Sequence, residues 1–231
     1  MGYAGFTMPD SHWHAYEDCD RTCVTCFSDL WPKGFLPTKE YSVWFEDYLT
    51  MVKTVSPDIV SVCTPDETHC QIVCDIAPYV KAIFLEKPIA LTLEDADKMI
   101  ESCHKHHVIL QVNHKRRWTR PVMRFSRGIM RNGTHAIDLL RQTFGGASWI
   151  DAKEGVFGET LVDIEYVDTE EPIFELDCVH NDDKGMTLRG VEHLVNCLDN
   201  GTQSISSGEE AKETLRVLLS FKREYDKRTG V

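Results

Sequence analysis

Residues 58–112, DIVSVCTPDETHCQIVCDIAPYVKAIFLEKPIALTLEDADKMIESCHKHHVILQV, decide the fold. Three short apolar runs stand out: 58–63 (DIVSVC), 81–85 (KAIFL) and 108–112 (VILQV). Each is bounded by turn-forming or polar residues and reads as a buried strand. Between them, 67–77 and 92–106 have helical spacing. The second opens on Thr92-Leu93-Glu94-Asp95, whose acids suit the positive end of a helix dipole. Strands of about five residues alternating with helices of ten or more predict βαβ units in a parallel sheet.

Upstream, 21–27 (RTCVTCF) ends in Ser28-Asp29 and reads as a further strand. The stretch 30–39, with Pro32, Gly34 and Pro37, reads as a loop, and 45–55 as a helix stopped by Ser56-Pro57. Downstream the pattern changes. A basic cluster, 114–118 (HKRRW), leads into an irregular stretch. Residues 133–144 then predict a helix with Ile137, Leu140 and Phe144 on one face. Within 149–178 the segments 160–167 and 173–179 alternate as an antiparallel sheet would, and 188–197 and 209–225 predict two closing helices. The expected fold class is α/β: a doubly wound parallel sheet, residues 1–118, followed by an α+β domain with a mostly antiparallel open sheet, residues 119–231.

Composition narrows the function. The 231 residues carry 25 Lys+Arg against 37 Asp+Glu, a formal charge of −12, and 42% are apolar. That apolar share excludes a disordered chain. The acidic balance argues against a nucleic-acid backbone binder or a polybasic membrane reader, both of which need surplus Lys and Arg. No run approaches the ~18–20 apolar residues of a membrane helix, and residues 1–10 lack the basic and apolar regions of a signal peptide. Nine cysteines without such a signal predict reduced thiols in a cytoplasmic protein.

In doubly wound sheets ligands bind outside the carboxyl ends of the strands. Those ends carry Asp29, Thr64-Pro65, Glu86-Lys87-Pro88 and Asn113-His114. One polar turn after a strand means little, but four in register predict a ligand lying across the edge. Asp29 sits where a carboxylate accepts both ribose hydroxyls of an adenosine, which favours NAD over NADP. Gly2-Tyr3-Ala4-Gly5 ahead of 11–16 reads as the tail of a glycine-rich phosphate loop entering a helix, with two glycines instead of three. Lys87, directly after a core strand, places a cation where a reacting hydroxyl would lie.

Together, 57–69 (PDIVSVCTPDETH), 82–100 (AIFLEKPIALTLEDADKMI), 111–118 (QVNHKRRW) and 132–141 (NGTHAIDLLR) resemble the glucose-fructose oxidoreductase / inositol dehydrogenase family. The likeness spans about residues 11–141, with a weaker match over 187–230. It implies a Rossmann-type first domain and NAD(P)-linked chemistry at a sugar, nucleotide-sugar or cyclitol hydroxyl. It also implies a homo-oligomer, a dimer or tetramer, with no nucleic-acid or membrane partner. By the same resemblance Lys87 touches cofactor and reacting hydroxyl, and His135 is the general acid/base. Asp138 holds a substrate hydroxyl, and Arg117 reaches an anionic group. Thr64, Pro65, His69, Glu86 and Asn113 line the nicotinamide side, with Gly2, Gly5 and Asp29 completing the cofactor contacts.

The chain departs from the family pattern in four places. Arg131 stands where sugar dehydrogenases carry an Asp four residues before the catalytic His. The first strand expected before Gly2 is absent from the sequence, the interval between Trp118 and Gly133 is short, and the strand region before Met186 is thin. The expectation is therefore a shortened relative, and a non-catalytic NAD-binding member is the alternative. A second alternative is a radical-SAM iron–sulfur site on Cys19, Cys23 and Cys26, whose spacing suits a [4Fe–4S] cluster.

Overall fold

Three strands, β3 (Ile59–Val62), β4 (Ala82–Leu85) and β5 (Ile109–Val112), form a parallel sheet in the order β3-β4-β5. Ile83 lies between Val60 and Leu110 in its register. The computed structural model of the protein describes residue 5 and residues 10–30, 43–118, 147–154, 160–166, 174–175 and 185–229. Every residue of β4 is buried, as a central parallel strand covered on both faces requires.

The strand period of two divides these side chains between two cores. Val60, Val62, Ile83, Leu85, Leu110 and Val112 share one cluster with α2 (Tyr48–Val55), α3 (His69–Ile76), α4 (Leu93–Lys105) and α6 (Gly208–Thr229). On the other face Ala82, Phe84 and Ile109 meet Ala15 and Cys19, from α1 (His12–Asp18) and the residue after it. Val191, Leu194 and Val195 of α5 (Met186–Asn200) complete that layer. The sheet is therefore doubly wound, and the closing helices pack against it.

A second parallel pair, β1 (Cys26–Ser28) with β2 (Val43–Phe45), stands beside α2, and a three-stranded antiparallel sheet follows in the order β6 (Ala147–Glu154), β7 (Thr160–Tyr166), β8 (Phe174–Glu175). The α/β class and the change to antiparallel pairing agree with the sequence reading. Two readings need correction. Residue 45 closes a strand, not a helix start: β2 is only three residues long, too short for periodicity to register, and α2 begins at Tyr48 behind its Asp47 cap. The run 21–27 is strand only from Cys26, where partners in β2 begin. The predicted helix 133–144 lies outside the described residues.

Caps set the helix bounds. Ser11 accepts from the His14 N–H, Asp47 from Thr50 N at 2.6 Å, and Thr92 from Asp95 N at 3.1 Å. Gly201, at φ +63°, ends α5 in the left-handed conformation that glycine adopts freely. At the start of α6 the backbone comes so close to the sheet layer that a Cβ on Gly208 would lie 2.8 Å from Leu110 Cδ2 and 2.9 Å from Ile100 Cγ1.

Candidate functional site

The carboxyl ends of β1, β3, β4 and β5 place Asp29, Thr64-Pro65, Glu86-Lys87-Pro88 and Asn113 at one edge of the α/β unit. An open cavity of about 1590 Å³ runs along the β1 and β3 ends and is lined by Gly5, His12, Asp29, Cys63, Thr64 and Pro65. The Lys87–Pro88 peptide bond is cis.

At the centre of this edge a buried polar network joins four elements. Glu86 Oε1 accepts from His12 Nε2 at 2.9 Å and from Asn113 Nδ2 at 2.7 Å, while Oε2 accepts from the Lys87 N–H at 3.3 Å. The two donor nitrogens stand 3.1 Å apart because they converge on one oxygen. The other nitrogen of His12, Nδ1, lies 2.9 Å from Ser61 Oγ, which donates to Tyr16 Oη at 2.9 Å. The His12 ring also lies 4.5 Å from that of Phe84 and is only 2% exposed.

Burial by itself disfavours charge on both partners, but the groups around each outweigh it. Hydrogen bonding and charge from Cys63 and Glu86 push His12 up to about 10. The hydrogen bond and charge of His12, then Asn113, hold Glu86 down at about 2. The two form an internal ion pair at neutral pH. Burial, reinforced by neighbouring Cys63 and Cys19, also pushes the Tyr16 phenol well above its ordinary value.

The sequence-predicted residues divide by what they do here. Asn113 donates with Nδ2, but its Oδ1 is buried and has no hydrogen-bond partner. Such an orphaned acceptor is uncommon in a folded interior and suits a ligand N–H or O–H. Thr64, Pro65, Asp29 and Gly5 line the cavity. His69 is fully buried, and its two ring nitrogens lie 3.1 Å from the carbonyls of Pro88 and Thr64. It acts as a strut between the two loops. The Arg117 side chain is 3% exposed, bonds the Ile205 carbonyl and lies 3.7 Å from Glu210. These contacts tie it to the start of α6. Gly2, His135 and Asp138 lie outside the described residues.

His12, Ser61 and Tyr16 are site residues that sequence reasoning missed. The one available signal was a polar His at the apolar face of the helix that Ser11 caps.

The iron–sulfur reading is also corrected. Among the described residues no three His, Cys, Asp or Glu side chains are grouped to hold a metal ion. Cys19 is buried in a core, Cys23 is exposed and Cys26 belongs to β1. All eight described cysteines are free, and no described helix is long and apolar enough to cross a membrane.

Comparison with known proteins agrees with this geometry. Residues 2–114 match the model of the "Oxidoreductase family, NAD-binding Rossmann fold". Myo-inositol 2-dehydrogenase of Thermotoga maritima is 34% identical over 90 residues, 39% of this chain and 27% of its own. D-xylose 1-dehydrogenase [NADP(+)] of Haloarcula marismortui is 30% identical over 96 residues, 42% of this chain and 26% of its own. The chain thus matches about a quarter of the length of these curated relatives. A crystal structure of the WlbA dehydrogenase of Bordetella pertussis, in complex with NADH and UDP-GlcNAcA, superposes with a TM-score of 0.70 at 17% identity. That match covers 95% of this chain and 93% of the other, a likeness of fold.

Proposed function

We propose, from the match of residues 2–114 to the oxidoreductase family with an NAD-binding Rossmann fold, that the chain is a member of that family and an NAD(P)-dependent oxidoreductase of a CH–OH group in a sugar, nucleotide sugar or cyclitol. The observation that carries this reading is the alignment of Asp29, Thr64-Pro65, Glu86-Lys87 and Asn113 at one sheet edge, with a buried acceptor, Asn113 Oδ1, left without a partner. These residues fit a dinucleotide: a carboxylate for ribose hydroxyls, a cavity of sufficient size and an acceptor for a carboxamide N–H. Asp29 favours NAD over NADP, since a 2′-phosphate would meet its charge. The names of the myo-inositol and D-xylose relatives support the substrate class.

When bound, the nicotinamide ring supplies a hydride donor or acceptor at its C4. Lys87 supplies positive charge beside the reacting hydroxyl. His135 takes the hydroxyl proton as the carbon–hydrogen bond is oxidised to a carbonyl, and returns it in reduction. A free imidazole titrates near 6.5, in the range that suits exchange at neutral pH. Asp138 orients a second hydroxyl. Gly2 and Gly5 bring backbone N–H groups near phosphate, and His69 braces the Thr64 and Pro88 loops from behind. Cytoplasmic location and dimeric or tetrameric assembly are part of the same proposal.

A second reading, an NAD-binding member without turnover, is favoured by one observation: Arg131 occupies the position of the family's relay Asp. Titration with NADH, followed by nicotinamide fluorescence, tests the common premise, and a sugar and polyol panel separates the two readings. Saturable binding with turnover is expected, and Lys87→Ala and His135→Ala should each lower the rate by ~10²–10⁴. Binding without turnover selects the second reading. No binding by a folded sample overturns both.

A further inference from the structure

We propose that His193 is a proton-operated latch: its neutral ring holds the loop between α5 and α6 at Ile205, and acid releases Ile205 from α5. The inference concerns the elements packed beside β5 and does not depend on what the ligand edge binds.

The loop, residues 201–207, runs back along β5 and is fastened to it by two serines. The Ser206 carbonyl accepts from the Val112 N–H at 2.8 Å, and the Ser206 hydroxyl donates to the Val112 carbonyl at 2.6 Å. Ser204 Oγ donates to Gln111 Oε1 at 2.7 Å. Ile205, between them, is 55% exposed and makes different contacts. Its carbonyl accepts from Arg117, and its N–H donates to His193 Nε2 at 3.2 Å. One loop residue thereby joins α5 to Lys115–Trp118, the helical turn that follows Asn113 and His114.

A ring nitrogen accepts a backbone N–H only when it carries no proton of its own, so His193 is neutral in this arrangement, with its hydrogen on Nδ1. A proton added at Nε2 sets two donors against each other. An acceptor for that new N–H is already in place. Cys197, one turn along α5, holds Sγ 3.4 Å from Nε2 while its thiol donates to the Gln203 carbonyl at 3.5 Å. The same nitrogen therefore has two partners, Ile205 when the ring is neutral and Cys197 when it is charged. The Trp118 ring, 5.1 Å from the imidazole between centroids, packs against it and does not titrate.

The charged and titratable groups around this ring come from three elements. Arg189, Glu192 and Cys197 stand on α5, Lys115 and Arg117 on the turn, and Glu210 on α6, 3.7 Å from Arg117. The loop itself carries none. Burial of the ring lowers its titration below the ordinary 6.5. The latch is therefore closed at neutral pH and opens on acidification below that range.

The experiment uses the full chain without ligand, and follows the His193 ring resonances and amide hydrogen exchange by NMR from about pH 7.5 to about 4.5. The Ile205 amide shift should titrate with the midpoint of the His193 ring. Its protection, corrected for the intrinsic pH dependence of exchange, should fall about fivefold or more as the ring becomes charged. The Val112 amide, held by Ser206, should keep its protection over the same range. His193→Gln supplies a side-chain carbonyl that accepts the same bond at every pH, so Ile205 should stay protected throughout. A merely structural role for the ring predicts the same profile in wild type and variant, and parallel profiles overturn the proposal. Should His193→Gln fail to fold, the wild type decides alone. Ile205 protection that does not follow the ring's midpoint overturns the latch, and so does loss of Val112 protection at that midpoint, which would mark general acid unfolding.

Discussion

The His12–Glu86 pair should give the protein a stability profile that falls on the alkaline side of neutrality. An imidazole ordinarily titrates near 6.5, and His12 is pushed to about 10 in the folded protein. A group raised in this way contributes stability that is complete below the unfolded value and drains away as pH climbs toward the folded one. Glu86, held at about 2 against an ordinary 4.5, works in the opposite direction. Its contribution is complete above 4.5 and is lost as pH falls toward 2. The pair is therefore fully effective between about pH 4.5 and 6.5.

At about 1.4 kcal/mol per pH unit, the displacement of His12 corresponds to roughly 5 kcal/mol and that of Glu86 to roughly 3. The two are not added, and Cys63 as well as Glu86 contributes to the first. Both agree with the ~3–5 kcal/mol lost when one partner of a buried ion pair is removed. Urea unfolding at a series of pH values is the assay. Between pH 6.5 and 8.5 the wild-type unfolding free energy should fall by up to about 1.4 kcal/mol per unit. His12→Gln should start about 3–5 kcal/mol lower and lack that component of the slope. Staying below pH 8.5 keeps Cys70, Cys74 and Cys103 out of the comparison, since burial raises all three thiols above the ordinary 9.0. Parallel wild-type and variant profiles across this window would refute the ion pair.

Three further substitutions test the packing that positions the edge. Phe84→Ala empties the centre of β4, where the ring is fully buried against His12; it should cost ~3–5 kcal/mol in chemical denaturation. Gln111→Leu leaves the Gly190 carbonyl and the Ser204 hydroxyl without their buried partner, formerly at 2.8 and 2.7 Å; a loss of about 2–4 kcal/mol is expected from two unmet groups. Gly208→Ala drives a methyl into Leu110 and Ile100, so the midpoint of thermal unfolding should fall with a cost of about 1–3 kcal/mol, whereas a helix-propensity argument alone predicts a rise.

The parallel sheet was legible because its signal is local. Ala82–Leu85 is apolar at every position, a pattern that survives without knowledge of its neighbours, and Thr92 with Asp95 marks a helix start within four residues. Thr64-Pro65, Glu86-Lys87 and Asn113 could be placed at one edge because strand ends follow directly from strand assignments. What was not legible depended on pairing at a distance. The short β2 exists through its ladder with β1, and nothing in Val43–Phe45 alone distinguishes it from the helix beginning at Tyr48. The contact between His12 and Glu86 spans 74 positions, and no spacing rule connects them.

The same long-range bonding gives two residues with the right chemistry for a ligand a part in the fold as well. His69 and Arg117 are polar, sit beside strand ends and fit the expected motif, and each also engages backbone carbonyls, those of Pro88 and Thr64 for His69 and the exposed one of Ile205 for Arg117. Residue type at a strand end marks a candidate, but unmet hydrogen-bonding capacity after folding decides between strut and ligand contact. By that criterion Asn113 differs from its neighbours. Its amide nitrogen is consumed by Glu86, which fixes the orientation of the group and leaves Oδ1 as a buried acceptor with a single chemical use. His12 and Asn113 share the Glu86 carboxylate, so the Asn113 nitrogen is held there while its carboxamide oxygen remains the buried acceptor for whatever N–H or O–H a ligand presents.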